Sequence, residues 1–171
     1  AAASRGLRLQ DVGPDGDCFF HTLALVTRSD ASVDRMRGEF ADHLARQWEL
    51  ERGNPGSTLW SDLAVQVLYT SAEEAVRGVP EGRAREEAFD DFFSRGLTGE
   101  LVDSIVATVR TSGRYNTAAG DIFPAVAAHL YGVDIRSMVY AEGGISWWDG
   151  LAPGGKKIVY MVRDDTKAHW M

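Results

Sequence analysis

A chain of 171 residues and 18.7 kDa suffices for one domain with a substantial core, and 44% hydrophobic with 25% charged residues is ordinary for a soluble globular protein. No apolar run approaches the roughly 18 residues of a membrane span. The net charge of −7 argues against a general nucleic-acid binder, whose phosphate contacts need clustered Lys and Arg, and a single cysteine excludes an internal disulfide.

The chain opens on "AAASRG" (1–6), which reads as a linker or an excision remnant, with 1–171 otherwise one domain. "GLRLQDV" (6–12) alternates like an edge strand, and "GPDGD" is turn material. "CFFHTLALVTR" (18–28) predicts a buried helix. In 32–53 the residues Val33, Met36, Phe40, Leu44 and Trp48 step by threes and fours, with Ser32 as N-cap and Gly53 just past the end. "NPGS" breaks the chain, and Ser57 is expected to cap a helix over 58–70. A further helix over 81–96 is charged at its start and aromatic later. Thr98 caps 99–113, where Leu101, Ile105 and Val109 form a stripe. "RYNTAAGD" is irregular, and 122–132 is helical with Pro124 in its first turn. After Gly132 the pattern becomes β: 133–140, 144–148 and 156–163, separated by Gly-rich turns. Helices followed by strands imply an α+β fold, a helical part packed on a small, mostly antiparallel C-terminal sheet.

Cys18 stands where the "DGD" turn feeds a helix. A free cysteine is often a small buried apolar residue. At a helix N-terminus, however, the partial positive charge favours the thiolate, and the backbone N–H groups there can receive an oxyanion. A thiolate nucleophile also needs a base. His21 lies one turn along the same helix and is read as structural, while His43 and His129 are expected at the surface or the core edge. His169, in "DDTKAHWM" after the last strand, is the candidate, since Cys and His of such pairs meet in space and not in sequence. The four histidines have no metal-ligand spacing, and no metal or cofactor is expected.

"DGDCFFHTL" resembles the catalytic-loop signature of the OTU (ovarian tumour) cysteine proteases, and "IVYMVRDDTKAHW" resembles their second signature, a strand and hairpin ending in His and an aromatic. "GRYN", "DIFPAVAAHLYG" and "VDIRSMVY" stand where that family carries a loop, a helix and the first sheet strand. The resemblance implies a papain-like OTU fold and a deubiquitinase that cuts after the C-terminal Gly-Gly of ubiquitin or a ubiquitin-like protein. It makes Cys18 the nucleophile and His169 the base, with Asp15 bracing the loop. The backbone N–H groups of Asp17 and Cys18 would form the oxyanion hole, while Gly16 and Trp170 would border the substrate channel. Ubiquitin's arginine-bearing tail suits an acidic domain.

One position departs from the family. The residue two after His169, where many members carry Asp or Asn, is Met171, so either another polar residue substitutes, with Asp11 and Asn116 as candidates, or the site is a dyad, or catalysis is impaired. The alternatives are another acyl chemistry on the same fold, such as deamidation or transglutamination, and a decayed binding domain. The Ala/Arg/Gly-rich flavour resembles OTU-like modules of large bacterial toxin- or effector-type proteins, acting in a cytosol after delivery. As an isolated domain the chain is expected to be a monomer with no nucleic-acid or membrane partner. "WELER", "FDDFF" and "SWW" are candidate surface aromatics, although such stripes are more often core, and one of the consecutive Trp147 and Trp148 should be exposed.

Overall fold

The computed structural model describes residues 17–27, 29–53, 59–113, 117–141, 144–149, 157–164 and 169–170. The expected strand over 6–12 and the Ser57 cap lie outside them. Six helices come first: α1 (Cys18–Thr27), α2 (Val33–Gly53), α3 (Leu59–Ala75), α4 (Arg83–Ser94), α5 (Gly99–Arg110) and α6 (Thr117–Tyr131). Four strands follow: β1 (Val133–Ala141), β2 (Gly144–Asp149), β3 (Lys157–Asp164) and β4 (His169–Trp170). The architecture is therefore α+β. Among the described residues no helix is long and apolar enough to cross a membrane.

Local chemistry sets the helix ends. Arg35 N–H donates to the Ser32 hydroxyl (3.3 Å), and Leu101 N–H to the Thr98 hydroxyl (3.2 Å), so both expected N-caps form. Gly53 is instead the last residue of α2, with no left-handed backbone, so it does not terminate the helix as a C′ glycine would. The start of α3 is capped from a distance. The Glu51 carboxylate accepts from Trp60 N–H at 2.7 Å and Ser61 N–H at 3.1 Å. α6 begins five residues before the expected start, which puts Pro124 inside the helix rather than in its first turn. Pro124 has no N–H to give the Gly120 carbonyl, so α6 goes without one helix bond at that turn. Gly132, with φ of +61°, then turns the chain sharply into β1.

The sheet order is β2-β1-β3-β4. β1 pairs with β2 antiparallel through Arg136↔Asp149 to Ala141↔Gly144, and β3 pairs with β4 antiparallel at Asp164↔His169. The central pair, β1 with β3, is parallel from Val133↔Lys157 to Tyr140↔Asp164, so two of the three pairings match the mostly antiparallel sheet expected and the middle one departs from it. Period-2 burial fixes one face inward. Val133 and Ile135 on β1 and Val159 and Met161 on β3 are buried, whereas Ile158 is exposed.

α6 packs against β1, and α1 against β3, β4 and α2. Between them lies an aromatic cluster in which Phe20 meets Phe40 and Phe123 at centroid separations of 5.1 and 4.9 Å. Phe19 joins it at 5.2 Å from Phe123. α4 stands apart. None of its residues is buried, and it leans on α3 through the Tyr69–Phe89 ring contact. "FDDFF" is thus a half-buried flank and not the core expected of an aromatic stripe.

Candidate functional site

Cys18 is the first residue of α1 and only 2% exposed. The Asp17 carbonyl accepts from Phe20 N–H (2.9 Å) and His21 N–H (3.1 Å), which makes Asp17 the N-cap residue by its backbone. The positive end of the α1 dipole therefore falls on Cys18. α1 also lies against β4, so the backbone bearing His169 and Trp170 runs beside the helix that begins at Cys18. Pairing of β4 with the end of β3 fixes that placement. Asp11, Asp15, Gly16, Asn116 and Met171 lie outside the described residues.

The Asp17 side chain has partners that the sequence did not announce. Its Oδ1 accepts from Arg37 Nε at 2.5 Å. Its Oδ2 accepts from the Ser112 hydroxyl at 2.8 Å and from Gly113 N–H at 2.9 Å. Burial alone would push this carboxyl up; the Gly113, Ser112 and Arg37 donors outweigh it and hold it below the usual carboxylate range. Arg37 is wholly buried. Its Nη1 donates to the Val109 carbonyl (2.9 Å), and its guanidinium sits 4.6 Å from the Phe20 ring centroid. Asp17 thus ties the start of α1 to α2 and to the turn after α5. A trace of Arg37 was present in the sequence, because it falls four residues after Val33 and three before Phe40, on the apolar face of α2.

A second polar pair lies between α2 and α6. His43 Nε2 and His129 Nδ1 are 2.8 Å apart, a hydrogen bond in which one ring donates and the other accepts. His43 is buried, not at the surface or the core edge, because Phe40 and Leu44 carry its face of α2 inward. Its pKa is lowered to about 4, first by burial, then by His129 and Arg46. His21 is half-buried on α1. Among the described residues no group of three or more His, Cys, Asp and Glu is arranged to hold a metal ion.

No family model and no curated protein matches this chain. Among solved structures it is similar to that of the OTUD1 OTU domain, with 11% identity over 99% of this chain and 86% of that one and a TM-score of 0.45.

Proposed function

We propose that the chain, as a single domain of papain-like OTU type, is a cysteine-dependent hydrolase. It cleaves the peptide or isopeptide bond after the C-terminal Gly-Gly of ubiquitin or a ubiquitin-like protein. The observation that supports this reading is the packing of α1, which starts at Cys18, against β4, which starts at His169. Two residues from opposite ends of the sequence, of the types that thiol acyl transfer requires, lie on adjoining elements.

In the proposed reaction the Cys18 thiolate attacks the carbonyl carbon of the terminal glycine. The resulting oxyanion is received by the N–H groups of Asp17 and Cys18 at the positive end of α1. His169, having taken the thiol proton, gives it to the leaving amine as the tetrahedral intermediate collapses to a thioester. It then draws a proton from the water that hydrolyses the thioester and restores the thiol. Asp11 or Asn116 would orient the imidazole, Gly16 would allow close approach of the loop, Asp15 would brace it, and Trp170 would border the channel. An overall charge of −7 suits a tail that carries arginines.

One observation favours a second reading. At 2% exposure Cys18 also fits a core thiol in a binding domain without catalysis. The test is incubation with ubiquitin bearing a C-terminal thiol-reactive warhead, comparing wild type with Cys18→Ala. An adduct with wild type alone is expected. No adduct from a thiol that still alkylates rapidly with iodoacetamide points to a different acyl substrate. A thiol that is slow as well means the binding-domain reading is right.

A further inference from the structure

We propose that Arg37 is a positioning residue for the nucleophile, gripping Asp17 so that the Asp17–Cys18 peptide keeps one conformation. The inference rests on the reading of Cys18 as nucleophile. It stands on a network that joins three separate parts of the chain. A buried guanidinium is costly unless its charge and its donors are met. Here Asp17 meets the charge, the Val109 carbonyl at the end of α5 takes a second donor, and Phe20 lies under the guanidinium plane. The same Asp17 carboxylate then reaches the turn after α5 through Ser112 and Gly113.

What this arrangement does for chemistry follows from the usual habit of an N-cap. An Asp before a helix ordinarily turns its carboxylate back onto the first-turn N–H groups of its own helix. Asp17 caps α1 with its backbone carbonyl, while both of its carboxylate oxygens accept from groups outside α1. Arg37, with Ser112 and Gly113, therefore engages the carboxylate on partners outside α1, next to the N–H groups at which an acyl-transfer oxyanion has to bind. Without that grip, the carboxylate is free to turn onto the Phe19 and Phe20 N–H groups, where its negative charge opposes an oxyanion on the neighbouring Asp17 and Cys18 N–H groups. The ground-state complex is not affected in the same way, so the loss falls on turnover.

The experiment measures release of a fluorophore from a ubiquitin C-terminal conjugate by wild type, Arg37→Met, Arg37→Lys and Ser112→Ala, with the fold of each checked by near-UV circular dichroism. Arg37→Met is expected to lower kcat about 10- to 100-fold, the scale of a misplaced reacting group, with KM within about twofold. Arg37→Lys, which keeps the charge, recovers part of the loss. Ser112→Ala, on an exposed turn, lowers kcat a few-fold. If Arg37→Met fails to fold, the other two variants decide. Folded Arg37→Lys and Ser112→Ala with wild-type kcat, or with effects confined to KM, overturn the proposal. Turnover that persists in Cys18→Ala overturns the reading of the nucleophile instead. Should wild type leave the conjugate intact, the rate of Cys18 alkylation by iodoacetamide is compared across the same variants. Slower alkylation in the variants then supports the proposal, and equal rates overturn it.

Discussion

Lowering the pH from 7 to 5 should destabilise this protein through one imidazole. In the unfolded chain His43 titrates near 6.5; in the fold, burial, with His129 and Arg46 adding to it, lowers that to about 4. Between those values the unfolded state binds more protons than the native one, so stability is fully present above 6.5 and drains away as the pH falls towards 4. At about 1.4 kcal/mol per unit the whole effect is about 3 kcal/mol, of which about 2 kcal/mol is lost by pH 5. The bond to His129 gives the structural reason, since two protonated rings would bring two donors and no acceptor to a 2.8 Å contact. Asp17 does not confound this window: its lowered pKa costs stability only as the pH falls below its ordinary value of 3.8. Urea unfolding at pH 7, 6 and 5 would be compared between wild type and His43→Gln, which keeps a polar partner for His129 but does not titrate. Wild type should lose about 2 kcal/mol more than the variant between pH 7 and 5. Parallel losses in the two proteins, or a folded His43 ring that titrates near 6.5 by NMR, would show that His43 does not carry the pH dependence.

Two further substitutions test the packing that holds α1 in place. Phe20→Ala removes a fully buried ring that touches Phe40, Phe123 and the Arg37 guanidinium, and should cost about 3–5 kcal/mol in urea unfolding. A loss below about 1 kcal/mol would mean that the cluster is not packed as described. Glu51→Ala takes away the carboxylate that accepts from Trp60 and Ser61 at the start of α3, with an expected loss of about 1 kcal/mol by the same assay. An unchanged midpoint would show that another group caps this helix.

The helices were legible where burial follows a period that sequence can display. Met36, Phe40 and Leu44 are buried along α2, and Ile105 and Val109 along α5, as their spacing predicts. The start of α6 was not legible, because "TAAG" carries no hydrophobic signal and Pro124 looks like a first-turn residue. Parallel pairing of β1 with β3 was equally hidden. Alternation along each strand says which face is buried and nothing about the direction of a neighbour. For the site, the turn before Cys18 and the late His169 stood out as residue types in context. Arg37 and Ser112 did not, since each gains its role only when α2 and the turn after α5 converge on Asp17. The His43–His129 pair shares that cause: each ring sits on a different helix, and neither helix alone signals the other.

α4 has a consequence for how the molecule breathes. With no buried residue and its ring contacts made to α3, its detachment exposes little apolar surface, whereas loosening α6 would expose Ile122, Phe123 and Val126, all fully buried. The fold is therefore graded in cooperativity. Arg83–Ser94 are expected to open at low free energy and to exchange their amide hydrogens before α6 and the sheet strands against it, which hydrogen exchange would check. Among the described helices, α4 is the one a protease meeting the native protein would open first, far below the threshold at which the core gives way.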